Sequence, residues 1–178
     1  QASVQTLVGE ALELAGIEVR RRGVKFQQNI EPNLPDLMVD PILIEQVLLN
    51  LIKNAAESID MANRPPHQRQ ISLTVQKAVV EGRPAVEFIV QDSGPGIANE
   101  AMPRLYEAFY STKTEGMGIG LSLCRSIIES HTGRLRAENL YNGAAVTGCV
   151  FSFWLPVTLS VASSPSASSK NSEIQVSP

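Results

Sequence analysis

Residues 44–59 read IEQVLLNLIKNAAESI, a run of apolar residues and good helix formers interrupted by Asn50 and Asn54. Asparagine ranks low in helix interiors because its amide competes for the local backbone. Four residues apart, the two amides lie one turn above each other on a single face. Either that face holds something that wants two carboxamides, or two buried amides have found partners. Upstream, Asp40-Pro41 supplies an N-cap acid followed by proline at the first helical position, so the helix is predicted from Pro41 to about Met61.

Working outward, residues 1–22 repeat apolar side chains at helical spacing, and Gly23 ends the pattern. VKFQQNI alternates as a strand, Pro32, Asn33 and Pro35 turn the chain, and DLMVD is predicted as a second short strand. NRPPHQRQ is a loop, and ISLTVQKAVV and PAVEFIVQD form an antiparallel hairpin around EGR. Residues 93–120 are rich in glycine, proline and polar side chains, and predict a long loop with one short helix near MPRLYEAF. LSLCRSIIESH is a helix stopped by Gly133, and GRLRAEN and GCVFSFWLP are two last strands. The predicted domain is residues 1–156, and the serine-rich residues 157–178 are a disordered tail or linker. This order predicts an α+β fold, a two-layer α/β sandwich with a mixed, mostly antiparallel sheet covered by helices on one face.

With 178 residues, 43% hydrophobic and 19% charged, the chain suits one globular domain. The net charge of -3 gives no reason to expect nucleic-acid binding, and Arg20-Arg21-Arg22 reads as a solvated helix end. Cys124 and Cys149 have no CxxC spacing and read as reduced core thiols of a cytoplasmic domain. The absence of a long apolar run predicts no membrane contact by this domain, and any attachment would belong to another part of the protein.

Two glycine-bearing segments could hold a ligand. QDSGPGI, residues 91–97, follows a strand, where Asp92 can accept from an amino group while Gly94 and Gly96 admit a flat molecule next to Ile97. Its plain alternative is an Asx turn. GMGIGLSLCRS, residues 116–126, sets Gly116, Gly118 and Gly120 around Ile119 directly before Leu121 and a helix. Free N–H groups there suit an anion, although a flexible helix entry is as good a reading. The spacing GxGxG after STKTE fits neither a dinucleotide fold nor a Walker A loop. RLYEAFYSTK places Tyr106, Phe109 and Tyr110 near Lys113, an apolar latch beside a lysine that could reach a phosphate. His67 and His131 lack companions for a histidine metal site, and no GxSxG elbow supports a serine hydrolase.

Taken in order, NLIKNA, DSGPGI, EAFYSTK and GMGIGLSL resemble the N, G1, F and G2 boxes of sensor histidine kinases. The resemblance implies a Bergerat-type fold that binds ATP with Mg2+, Asn54 being similar to the family's metal ligand. Asn50 occupies the catalytic position where related ATPases carry a glutamate base. Asp92 would read the adenine amino group, with Gly94, Gly96 and Ile97 around the base. Gly116, Gly118, Ile119, Gly120 and Leu121 would hold the triphosphate, with Lys53 and Lys113 as phosphate contacts under a lid spanning roughly residues 93–120. Ala108, Thr132, Val150 and Glu57 depart from the usual pattern, Glu57 standing where many relatives have a basic residue. The implied partners are a helical dimerisation and phosphoacceptor domain of the same protein and a response regulator receiver domain. An anti-sigma-type serine kinase and a nucleotide-sensing regulatory module share the boxes and stay open as alternatives.

Overall fold

A computed structural model describes residues 1–108 and 120–158. Helix α1 (Val4–Arg21) starts where Ser3 Oγ accepts from Thr6 N at 3.4 Å, and Gly23, at φ 62°, turns the chain out of it. Val4, Leu7, Val8, Ala11, Ala15 and Val19 form its buried stripe. Helix α2 (Pro41–Met61) begins as predicted, with Asp40 Oδ1 accepting from Leu43 N at 3.3 Å and Pro41 in the first turn. It is the central helix, with eight buried side chains from Ile44 to Ile59, and packs on both α1 and α3 (Gly120–Ser130).

Strands β1 (Lys25–Ile30), β2 (Gln70–Val80), β3 (Arg83–Asp92), β4 (Arg134–Asn142) and β5 (Ala145–Pro156) make one sheet in the order β1-β2-β3-β5-β4. Only β1 and β2 run parallel, and the other neighbours are antiparallel. Glu81 and Gly82 join β2 to β3 with φ of 52° and 76°, the doubly left-handed turn that matches strand twist. Alternation puts Ile71, Leu73 and Val75 of β2 and Phe88 and Val90 of β3 under the helices with Phe153 and Leu155 of β5. Phe88 and Phe153 stack at 4.6 Å in the middle of this layer. On the other face Gln76 Nε2 donates to Glu87 Oε2 at 3.1 Å, in the polar pattern of an uncovered sheet. The α+β sandwich read from the sequence is the fold.

One local expectation is corrected. DLMVD is not a strand: hemmed between Pro35 and Pro41, it pairs only at Leu37, in an isolated antiparallel bridge to Ala2. Leu37 fills the core while Met38 is 60% exposed. The short helix expected near MPRLYEAF is present as a 3-10 turn, Met102–Arg104, with Arg104 N bonding Ala101 O at 3.0 Å. Leu105 and Tyr106 then turn inward to pack on the core.

Two polar ties hold the ends of the helices in place. Asp60 near the end of α2 bridges Arg22 and Arg69, and Arg22 Nε also donates to Glu18 Oε1 at 2.6 Å. Burial opposes ionisation of Asp60, but the hydrogen bonds from Arg69 and then Arg22 outweigh it and hold the carboxyl below its usual value. At the far end, His131 Nδ1 donates to Ile127 O at 2.8 Å, so its Nε2 is the acceptor for Asp40 N at 3.1 Å. The residue closing α3 thereby holds the cap of α2.

Candidate functional site

The α2 face that carries Asn50 and Asn54 points toward the start of α3. Asn50 Nδ2 donates to Cys124 Sγ at 3.1 Å. A Cβ on Gly120 would lie 2.8 Å from Asn50 Nδ2, so a residue without a side chain lets the two helices approach. Asn54 sits half-buried one turn later, and Ser58 one turn later again.

At the exit of β3, Asp92 is 5% exposed, the one buried charged residue among the described residues. Its Oδ1 accepts from Gly94 N at 2.7 Å, the Asx geometry offered by the sequence as the plain alternative. That turn also brings the acid against α2. A Cβ on Gly94 would meet Ser58 Oγ at 2.7 Å and Asp92 Oδ1 at 2.8 Å. An Asx turn and a ligand-facing acid are therefore compatible here.

The turn after Asp92 is tied down on both flanks. Ser93 Oγ donates to Gln68 O at 2.6 Å and accepts from Gln70 N at 2.9 Å. Arg64 Nη2 donates to Gly94 O at 3.3 Å. On the other side the Asn139 carboxamide of β4 accepts from Ile97 N and donates to Ile97 O, both at 2.7 Å. Gly96 takes φ 77°, and a Cβ there would lie 2.3 Å from Val146 Cγ1. Under the turn, a Cβ on Gly148 would stand 1.9 Å from Asp92 O, so β5 can pass only as glycine.

Each end of this α2 face has a buried cysteine beside it, Cys149 opposite Asp92 and Cys124 against Asn50. Burial pushes the Cys149 thiol up to about 12, and the Asp92 carboxylate in register with it adds to the effect. Burial also raises Cys124, against the hydrogen bond from Asn50. Tyr106 is pushed up to about 12 by burial; the Arg125 guanidinium, 5.2 Å over its ring, pulls the other way, and Cys149 and Cys124 push with burial. The Tyr106 hydroxyl is buried and has no hydrogen-bond partner among the described residues.

The predicted site residues divide by place. Asn50, Gly120 and Leu121 meet at the start of α3, while Asp92, Gly94, Gly96 and Ile97 meet at the exit of β3, with Asn54 between them on α2. Lys53 is elsewhere: with Ala15, Glu18, Val19, Leu49 and Glu57 it lines a 310 Å³ cavity between α1 and α2. It pairs with Glu57 at 4.0 Å. Lys113, Gly116, Gly118 and Ile119, like Phe109 and Tyr110 of the latch, lie outside the described residues. The sequence reading missed Ser58, Arg64 and Asn139. Ser58 was legible, since it continues the Asn50–Asn54 spacing by one more turn. Asn139 and Arg64 carry no local signal.

No three of the His, Cys, Asp and Glu side chains among the described residues gather as a metal site. A hard cation would therefore draw on carboxamide oxygen and on the oxygens of its own ligand, the donor set that Mg2+ shares with phosphates. Gly94 and Gly120 let the backbone pack directly against Ser58 and Asp92 at one end of the α2 face and against Asn50 at the other.

Residues 39–159 match the model of the histidine kinase-, DNA gyrase B- and HSP90-like ATPase family. The chain is 40% identical over 151 residues to the C4-dicarboxylate transport sensor protein DctS of Rhodobacter capsulatus, covering 85% of this chain and 22% of that protein. It is 35% identical over 154 residues to the sensor protein FixL of Bradyrhizobium diazoefficiens, covering 86% and 28%. The chain thus spans about a quarter of the length of these curated relatives. Among solved structures it is similar to the catalytic domain of the histidine kinase ThkA, with TM-score 0.67 and 30% identity over 86% of this chain and 91% of that one. Full-length ShkA with AMPPNP gives TM-score 0.69 at 25% identity, covering 88% and 31%. ThkA in complex with the response regulator TrrA gives 0.67 at 28%, covering 88% and 41%. With buried Asp92 at one end of the site and Asn50 against Gly120 at the other, the chain belongs to the histidine kinase-, DNA gyrase B- and HSP90-like ATPase family, in its sensor histidine kinase branch.

Proposed function

We propose that this domain binds ATP with Mg2+ and directs the γ-phosphate to a histidine on a helical dimerisation domain of the same protein, for relay to a response regulator receiver domain. The observation that supports the reading is a buried acid, Asp92, whose turn packs on Ser58 at one end of the α2 face that carries Asn50 and Asn54. Asp92, held in place by the Gly94 N–H, accepts from the exocyclic amino group of adenine. Asn54 offers its carboxamide oxygen to Mg2+, which neutralises charge on the phosphates when bound. Asn50 cannot take a proton, so this chain offers no general base for water at that position, and the phosphoryl group is kept for an imidazole nitrogen. In that transfer the bond from γ-phosphorus to the ADP oxygen breaks as a phosphorus–nitrogen bond forms.

ShkA was crystallised with AMPPNP and ThkA with a response regulator, which supports nucleotide and receiver partners for a relative of the same fold. No helix among the described residues is long and apolar enough to cross a membrane, and we place the domain on the cytoplasmic side, where ATP is. Residues 157–178 would serve as a linker or tail.

Displacement of a fluorescent ATP analogue tests the reading. Asp92→Asn and Asn54→Ala should each abolish Mg2+-dependent binding, and wild-type-like affinity in both would sink the assignment. The isolated chain should also incorporate no label on His67 or His131 from γ-labelled ATP.

A further inference from the structure

We infer that Asn139 is the positioning residue for the purine half of the site, acting through the backbone of Ile97. This rests on the nucleotide reading above and adds to it a residue that no motif of the family covers. Asp92, Cys149 and Asn139 stand in one cross-strand row, Asp92 opposite Cys149 and Cys149 opposite Asn139. Directly paired residues share a face of the sheet, so all three belong to the helix-covered side. Neighbouring strands lie ~4.8 Å apart, which sets the two ends of the row roughly 10 Å from each other. The turn that leaves Asp92 crosses β5 and is caught at the far end by Asn139.

The catch is two-pronged. One carboxamide satisfies both backbone groups of Ile97 at 2.7 Å, as a neighbouring strand would. Between Asp92 and Ile97 the chain holds Gly94 and Gly96, whose backbone freedom leaves an untethered turn many conformations. Gly96, close against Val146 of β5 and Asn139 Oδ1, fixes the height of the turn. Ile97 packs on the edge of the core, so losing Asn139 strands an N–H and a C=O in a half-buried place. Freed at that end, the turn stays tied at Ser93 and Gly94, but Gly96 and Ile97 no longer brace the side of the turn away from α2, and the Asp92–Gly94 bond is held less firmly. The consequence falls on recognition of the base, while Asn50, Asn54 and the start of α3 keep their places.

The test compares Asn139→Leu and Asn139→Asp with the unmodified chain, well below their melting temperatures, by displacement of a fluorescent ATP analogue with ATP, ADP and GTP. Asn139→Leu should weaken ATP and ADP by the same factor, on the order of tenfold, and shrink the preference for ATP over GTP. Asn139→Asp keeps an acceptor for Ile97 N and should recover part of both. Unchanged affinity with only a lowered melting temperature would overturn the inference, as would an equal loss for ATP and GTP. If Asn139→Leu does not fold, Asn139→Asp against wild type decides on the same two readouts. A wild-type chain that binds no adenine nucleotide would instead bring down the nucleotide reading itself.

Discussion

Asn50 donates to Cys124 Sγ at 3.1 Å, and this bond joins the helix that carries the two asparagines to the helix that opens at Gly120. It sets the direction of the Asn50 amide before any ligand arrives. Cys124→Val removes the acceptor at nearly constant volume and leaves Nδ2 in a half-buried place without it. Urea unfolding should show a loss of about 1–2 kcal/mol, the usual cost of stranding such a donor. Cys124→Ser, which can still accept, should lose less. Equal stability of all three chains would mean that the bond contributes nothing.

Tyr106 has the opposite problem, a buried hydroxyl without a partner among the described residues. Tyr106→Phe removes it while keeping a ring under Arg125. The variant should gain about 1 kcal/mol in thermal or urea unfolding, because a stranded hydroxyl costs more than the packing it adds. A destabilised variant would show that the hydroxyl has found a partner.

The same site should weaken the fold at high pH. Cys149 and Tyr106 both rise to about 12, from ordinary values of 9.0 and 10.0, with burial as the first cause. The folded state therefore holds their protons more tightly than the unfolded chain. This stability is fully present below about pH 9 and is lost progressively as pH climbs toward 12. Urea midpoints at rising pH should fall across that window, and Cys149→Ala should flatten the decline. Thiol reagents at neutral pH should label Cys124 and Cys149 only after unfolding, since both are buried and protonated.

On the acid side the bridge at Asp60 gives the reverse slope. Its folded value is depressed, so its contribution is present above the ordinary carboxylate value of 3.8 and fades as pH falls through the lowered one. Asp60→Asn should destabilise the chain at neutral pH and make its stability less sensitive to acid below pH 4. An acid limb identical to that of the unmodified chain would count against the bridge.

Gly96→Ala should fail for two separable reasons. The φ of 77° disfavours any side chain, and its Cβ would sit 2.3 Å from Val146 Cγ1. Adding Val146→Ala relieves the contact but not the backbone strain. The double variant should recover part of the nucleotide affinity and stability lost in Gly96→Ala. Full recovery would show that strain at Gly96 is unimportant.

What the sequence determined by itself was everything written in short-range pattern. Asp40-Pro41 announced the start of α2, the spacing of Asn50 and Asn54 put two amides on one face, and Glu81-Gly82 turned β2 back along β3. Helical and strand periods are properties of neighbours a few residues apart, so they survive in a bare string of letters. The same rule would have found Ser58, one more turn along. DLMVD shows its limit: alternation suits a strand, yet a strand needs an edge to pair with, and Leu37 meets only Ala2. The insertion of β5 between β3 and β4, and the side of α2 taken by Lys53, depend on which surfaces bury one another. Asn139 is the sharpest case. It lies 42 residues from Ile97, and nothing in LRAENLY marks it. Only once β5 is laid between β3 and β4 does one row join Asp92 to Asn139, because cross-strand register is set by the packing of the whole sheet.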